Sequence, residues 1–240
     1  MPLPKKIEDL IPLLGLVPHP EGGFFAETFR SGCAPMTTLG QTGFGCEDEQ
    51  RDLVITRGRE SNREDGDARR NAMTSIFWAP SLRYPKVLLA TNCSDHVHYY
   101  HGGRPFRYFL YDPVAREYSE HVLGPELHRG HKLQLAVRGG VWKCGTMVVD
   151  DGEDDDHDYS LIGEGVGPGW DAADFEFVTE KMVREAFADD RDETARNRLL
   201  SLLHRQSTEL RTEQKTTEFM RDEITKSVQE AAVDQSGPRR

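Results

Sequence analysis

Residues 94–124, "SDHVHYYHGGRPFRYFLYDPVAREYSEHVLG", decide the fold class of this chain. The stretch contains short runs rich in Val, Tyr and Phe, separated by Gly, Pro or Asp. Runs of the same kind recur from Met73 to Thr179, at the spacing typical of an antiparallel sandwich or barrel. No strand alternates with a long helix, which argues against a parallel sheet of the dinucleotide-binding type. The sequence therefore predicts a mainly β protein built around a barrel.

The segments on either side of the β region have different patterns. "KKIEDLIPLLGL" has apolar residues at helical spacing and predicts an N-terminal helix that ends at Gly15. In the following strand, alternation places Phe25, Glu27 and Phe29 on one face. After Thr179 the apolar residues again recur at helical intervals, which predicts a helical tail.

These patterns predict one main domain with appendages. We expect a barrel domain over 1–180, with an insertion loop at about 32–72 that is rich in charge and glycine. A second interruption, the acidic loop at 150–158, lacks the spacing of a calcium-binding loop and reads first as a solvated hairpin loop. Residues 181–240 form the predicted helical C-terminal extension.

Composition narrows the range of partners. The chain has 240 residues and a formal net charge of -11, which argues against nucleic acid and against an anionic membrane surface. No apolar run is long enough to predict a membrane span. The four cysteines are scattered without a CxxC pair, which predicts reduced thiols and a cytoplasmic location.

Several longer phrases resemble a known family. "LIPLLGLVPHPEGGFFAETFRS", "SIFWAP", "SDHVHYYHGG", "VLGPELHRGHKLQLAVRGGVWKCGTM" and "YSLIGEGVGPGWDAADFEF" are similar to the cupin-5 family of the cupin superfamily, long catalogued as a domain of unknown function. The resemblance covers roughly residues 8–180, less the two insertions. It implies a double-stranded β-helix, or jelly-roll barrel, of the RmlC-like kind, with a pocket in its mouth and a dimeric assembly.

The resemblance also implies that the cupin metal site is degraded. With Gly103 laid on the family's glycine, Ala90 falls where the family has a histidine, Thr91 where it has an arginine and His96 where it has a glutamate. Lys143 stands about where other cupins have their last histidine. A protonated amine repels a metal ion, so this position is a poor ligand.

Two histidines remain as metal candidates. His96 and His98 share the inward face of a strand by alternation, whereas His101 should face the other way. Two imidazoles can hold Zn, Ni or Fe, but a tight site needs a third protein ligand. Cys144, Glu27 or His131 could supply it, and the sequence does not choose between them. We expect no cofactor, with a divalent metal as the alternative.

Other residues are candidates for binding or catalysis. His19 could act as a general base, with Glu21 or Glu27 to orient it, and structural roles in the turn are the alternative. We predict a ligand site formed by seven residues, and catalytic candidates among three. The predicted ligand-binding residues are Glu21, Glu27, His96, His98, Tyr100, Arg138 and Trp142; the catalytic candidates are His19, His98 and Tyr100.

Two classes of function compete at this point. The first is a cupin that binds a small molecule in its barrel, has a degraded metal site, and is non-catalytic or a subunit of a larger assembly. The second is an enzyme, either a metal-free isomerase or epimerase with a His base and a Tyr acid, or a metal-dependent enzyme with a rearranged site. A homodimer and a protein partner held by the C-terminal helices complete the expectations.

Overall fold

The computed structural model of this chain describes residues 2–19, 21–32, 34–38, 41–45, 53–55, 69–83, 86–149, 157–188 and 192–203. The chain divides into two compact units, Met1–Val178 and Thr179–Arg240. The first unit contains the strands and the N-terminal helix, and the second contains helices.

Strands dominate the first unit. In chain order they are β1 (Val17–Pro18), β2 (Phe24–Arg30), β3 (Ala34–Thr38), β4 (Gln41–Gly45), β5 (Leu53–Ile55), β6 (Arg69–Asn71), β7 (Thr74–Ala79), β8 (Lys86–Asn92), β9 (Asp95–Gly103), β10 (Phe106–Asp112), β11 (Glu117–Leu123), β12 (Gln134–Val137), β13 (Trp142–Met147), β14 (Ser160–Gly167) and β15 (Phe175–Phe177). The unit also has helix α1 (Ile7–Leu14) and two short 3-10 turns, Leu127–Arg129 and Ala172–Asp174.

Two antiparallel sheets form the body of this unit. The six-stranded sheet has the order β1-β2-β7-β14-β9-β12, and the five-stranded sheet has the order β11-β10-β13-β8-β15. All the strand pairs in these sheets are antiparallel. The predicted mainly β jelly roll, with helices at both ends of the chain, is confirmed.

The predicted insertion contains strand pairs where it is described. β3 pairs with β4, and β5 pairs with β6, both antiparallel. The rest of the predicted insertion, at 33, 39–40, 46–52 and 56–68, lies outside the described residues, as do residues 150–156 of the predicted acidic loop.

Side chains from both sheets fill the space between them. A cluster of buried apolar residues combines Trp78, Leu135 and Ile162 of the six-stranded sheet with Phe106 and Tyr108 of the five-stranded sheet. Burying a side chain of this size contributes about 1.5–3 kcal/mol relative to leaving it exposed. The candidate site is formed by side chains that point into this interior.

A β-bulge corrects one detail of the predicted alternation. Glu27 pairs with Ile76 and Phe29 pairs with Ser75, so β2 has one more residue than β7 between these two pairs. The extra residue moves Phe29 off the face of Phe25 and Glu27, and Phe29 is 47% exposed. The strict alternation expected for Phe29 is therefore wrong.

Helix α1 packs on the first unit through one apolar stripe. Ile7 and Leu10 are buried in a cluster with Phe24 and Leu161. Asp158 Oδ1 accepts a hydrogen bond of 2.7 Å from the Ile7 backbone N–H, which satisfies a donor at the start of the helix. Gly15 ends the helix in the left-handed conformation, with φ 63°.

The second unit begins with helix α2 (Glu180–Ala186). Thr179 caps this helix, and its Oγ1 accepts a hydrogen bond of 3.2 Å from the Met182 backbone N–H. A further helical stretch covers 193–203. The predicted extension beyond residue 203 lies outside the described residues. Within the described parts of the chain, no helix has the length and apolarity that a membrane crossing requires.

Candidate functional site

The site is built from one row of side chains across the six-stranded sheet. Glu164 on β14 pairs with His98 on β9 and with Ile76 on β7. Paired residues project to the same face of a sheet, so Glu164 and His98 both enter the barrel interior. His96 lies two residues from His98 on the same strand and has the same orientation.

The five-stranded sheet contributes a cation to this row. Lys143 on β13 places its Nζ 3.0 Å from Glu164 Oε1 and 2.9 Å from His96 Nδ1. His96 Nδ1 is also hydrogen-bonded to Glu164 Oε1. Only 13% of the Lys143 side chain and 11% of the Glu164 side chain are exposed, so this is a buried ion pair.

Tyr108 contacts the second histidine, His98. The Tyr108 hydroxyl lies 3.2 Å from His98 Nδ1, and Glu164 Oε2 lies 3.7 Å from the same nitrogen. The Nε2 atoms of His96 and His98 are both buried, and no hydrogen-bond partner reaches them from the described part of the chain. Buried polar atoms are nearly always paired, so these two nitrogens are unusual.

A cavity opens beside these groups. Its empty volume is about 320 Å³, including the part that opens to solvent. Its lining combines charged and polar groups with an apolar wall. The lining residues are His19, Glu21, Trp78, Val87, His98, Tyr108, Lys143, Cys144 and Glu164.

The turn before β2 brings His19 and Glu21 to the cavity. His19 donates its backbone N–H to Gly23 O at 2.9 Å, and its Nδ1 accepts a hydrogen bond of 3.1 Å from the Glu21 backbone N–H. Gly23 has φ +73°, and a Cβ there would lie 2.7 Å from Ala79 O, so glycine is required. The glycines of "HPEGG" therefore set the turn that presents these two side chains.

Glu164 is the anionic group of the site. Burial alone would raise its pKa, but the Lys143 ammonium and the imidazoles of His98 and His96 outweigh burial and hold the pKa well below its usual range. Burial lowers the pKa of His98 to about 3 and also lowers the pKa of His96. At neutral pH the site therefore combines one carboxylate, one ammonium and two neutral imidazoles.

The pKa values of His19 and Glu21, the two residues from the turn, shift in opposite directions. Burial raises the pKa of Glu21 to about 7, and burial lowers the pKa of His19 to about 4. Around neutral pH, His19 is neutral and Glu21 is partly protonated. Glu21 can therefore donate or accept a proton near physiological pH.

Five predicted ligand residues do not line this cavity, and one of them, His96, instead contacts Lys143 and Glu164. Arg138 is exposed. Trp142 contacts the ring of Tyr111, with centroids 5.3 Å apart. The Tyr100 hydroxyl donates to Gly103 O, and Glu27 accepts two hydrogen bonds from Arg30, at 2.6 and 2.9 Å. Of the predicted residues, the structure brings together His19, Glu21, His96 and His98.

Sequence reasoning missed Glu164 and Tyr108. Glu164 occupies an inward position of a strand, between Ile162 and Val166 in the alternation, where an acid is rare. Its position was the sequence signal by which Glu164 could have been identified, because an acid at a core position of "SLIGEGVG" needs a partner. Tyr108 gave no comparable signal, since aromatic residues often fill a barrel.

The metal ligands that fit by chemistry are His96, His98 and Glu164. Their donor atoms lie within 4.8 Å of one another, and two imidazoles with one carboxylate form a common metal-binding set. Glu164 offers a third ligand atom beside the two imidazoles. Of the three candidates that the sequence offered for this role, Glu27 and His131 pair instead with Arg30 and Glu126. The third, Cys144, is buried and lines the cavity.

Lys143 prevents this donor set from accepting a divalent ion as it stands. An ion bonded to Glu164 Oε1 at about 2.1 Å would lie no more than about 5 Å from Lys143 Nζ. The two cations repel by several kcal/mol at that separation, even at an effective dielectric constant of about 20. Ala90, where the resemblance expects a histidine, pairs with Lys143 and offers no ligand atom. The residues present do not fit the metal.

An antiparallel barrel of two sheets, with histidines and a carboxylate facing its cavity, is the architecture of the cupins. The sequence model of the family described as "Cupin superfamily (DUF985)" matches residues 8–178. The chain belongs to this family.

Two solved structures are similar to this chain. A hypothetical protein from Leishmania major is 30% identical, with a TM-score of 0.57, over 78% of this chain and 95% of that chain. A protein from Shewanella oneidensis is 21% identical, with a TM-score of 0.54, over 78% of this chain and 93% of that chain. No curated protein matches.

Proposed function

We propose that this protein binds a small polar molecule in the barrel cavity, without a metal ion. The observation that supports the proposal is the buried Nε2 of His98, for which the described residues provide no partner beside a polar cavity. Leaving a buried polar atom unpaired costs about 1–3 kcal/mol, so a ligand atom that pairs with this nitrogen gains affinity.

The cavity favours a ligand with both hydroxyl or carbonyl groups and an apolar face. The cavity, whose volume of about 320 Å³ includes the part that opens to solvent, can be entered from outside. Lys143 and Glu164 supply a donor and an acceptor, while Trp78 and Val87 supply an apolar wall. A sugar-like ring or a small hydroxy acid has this combination of surfaces.

The test is to identify what the full-length protein retains on purification. Small molecules extracted from wild type and from His98→Ala are compared by mass spectrometry, with Arg138→Ala as a matched control because Arg138 is exposed. We expect a compound that is present in wild type and in Arg138→Ala and is depleted in His98→Ala. Equal retention by all three proteins would contradict the proposal.

A second candidate function is proton transfer on the bound molecule, as in an isomerase or epimerase. The observation that favours it is the contact of 3.2 Å between Tyr108 and His98, both of which line the cavity. Glu21, whose pKa is raised to about 7, adds a group that exchanges protons at neutral pH. Tyr108 replaces Tyr100 as the tyrosine in this proposal.

Solvent deuterium gives the test for proton transfer. Incubation of the retained compound with wild type in D₂O would place deuterium at a carbon position, and Tyr108→Phe would slow that exchange. Absence of exchange in wild type would leave the protein as a binding protein. The cytoplasmic location, the homodimer and the protein partner held by the C-terminal helices stay predictions.

A further inference from the structure

We infer that Lys143 is the built-in cation of this site and that removing its charge would create a divalent-metal site from His96, His98 and Glu164. The inference concerns the protein alone and does not depend on which small molecule binds. It starts from the position of one nitrogen atom, Lys143 Nζ.

Lys143 Nζ contacts two of the three residues that a metal ion would use. It lies 3.0 Å from Glu164 Oε1 and 2.9 Å from His96 Nδ1. An ammonium and a metal ion both neutralise a buried carboxylate, but the ammonium does so through hydrogen bonds. With Lys143 in place, Glu164 already has its counter-ion.

The rest of the donor set is intact. His96, His98 and Glu164 keep their donor atoms within 4.8 Å of one another, and all three residues are buried. Within the described chain, the Nε2 atoms of both histidines are unpaired. Ala90 supplies no further ligand, but three protein ligands with water in the fourth position suffice for a site of this kind. The charge of Lys143 is therefore the remaining obstacle.

The substitution Lys143→Met tests the inference because it removes the charge and keeps most of the side-chain length. Full-length wild type and variant are titrated with Co²⁺, and binding is followed by visible absorption and by elemental analysis after desalting. We expect the variant to retain about one Co²⁺ per chain and wild type to retain none at this site. The double variant Lys143→Met/His98→Ala should lose the ion again.

A surface lysine provides the matched control. Lys132 Nζ lies 3.0 Å from His121 Nδ1, so it makes a similar lysine–histidine contact in an exposed position. Lys132→Met should leave Co²⁺ binding unchanged from wild type. A gain in Lys132→Met equal to that in Lys143→Met would show that binding comes from surface histidines, and would overturn the inference.

Thermal unfolding provides a second measurement of Co²⁺ binding in case Lys143→Met is unstable. The variant leaves Glu164 without its counter-ion, so its Tm should fall and should rise by roughly 5 °C or more on saturation with Co²⁺. The same ion should leave the Tm of wild type unchanged. Stoichiometric Co²⁺ in wild type, or no binding and no Tm shift in either Lys143→Met or Lys143→Gln, would overturn the inference while leaving small-molecule binding untouched.

Discussion

The ammonium of Lys143 and the carboxylate of Glu164 form an ion pair of 3.0 Å inside the barrel. The two residues come from different sheets, β13 and β14, so the pair joins the two sheets across the interior. The neighbouring imidazoles are neutral at pH 7, so the charge of the cavity comes from this pair and from the partly ionised Glu21. The first prediction concerns this pair.

Replacing Glu164 with Gln should destabilise the protein. The change leaves the Lys143 charge buried without its partner, which costs about 3–5 kcal/mol in buried pairs. Glu126→Gln is the control, since Glu126 pairs with Arg129 at 3.0 Å near the surface and such pairs contribute about 1 kcal/mol or less. Denaturant unfolding measures both values, and similar losses in the two variants would contradict the assignment of a buried pair.

The pH dependence of the unfolding free energy should show the raised pKa of Glu21. The folded-state pKa of Glu21 is raised from 4.5 to about 7. Its contribution to the free energy of unfolding is therefore fully present below about pH 4.5 and is lost as the pH rises to about 7. Glu21→Gln removes this loss. The variant should gain stability relative to wild type, by up to about 3 kcal/mol, between pH 4.5 and 7.5.

The measurement for Glu21 is the difference in unfolding free energy between wild type and variant at each pH. Taking the difference cancels the opposite trend of His19, whose pKa is lowered to about 4 and whose contribution is lost as the pH falls. A difference that does not change with pH would mean that Glu21 has an ordinary pKa.

Removing the hydroxyl of Tyr108 should be more costly than removing that of Tyr99. Tyr108→Phe takes away the partner of a buried nitrogen, His98 Nδ1, with an expected loss of about 1–3 kcal/mol. Tyr99 lies on the same strand as His98 but is 39% exposed, so Tyr99→Phe should change stability by less than about 0.5 kcal/mol. Equal effects in urea unfolding would argue against the His98 contact.

Two glycines in the sheets should respond differently to alanine. A Cβ at Gly145 would lie 2.1 Å from Phe106 Cε1 and 2.7 Å from Arg107 O, inside the core, so Gly145→Ala should cost at least about 2 kcal/mol. The three atoms nearest to a Cβ at Gly163 all belong to the side chain of His101, which is exposed and can move. Gly163→Ala should therefore cost less, and the reverse order of Tm values would contradict this packing.

Much of the fold could be predicted from the sequence, because its signals are local. Alternation of side chains along β9 is a property of any extended strand, so the sequence alone assigns His96 and His98 to one face. The glycines of "HPEGG" and the helical spacing of α1 are local signals of the same kind. The bulge in β2 is not local, since it depends on how β2 pairs with β7, and the orientation predicted for Phe29 is wrong for that reason.

The candidate site depends on tertiary structure. In the sequence, Lys143 stands out because it lies about where other cupins have their last histidine. Glu164 has no such position and is simply one residue of a strand. Their contact requires the β10–β13 and β14–β9 registers to form in opposite sheets and to bring the two side chains together. The sequence by itself determined that His96 and His98 share one face of their strand, through the backbone period of two. Only the tertiary structure decided which of them meet, and therefore that the Lys143 ammonium lies beside the buried Glu164 carboxylate.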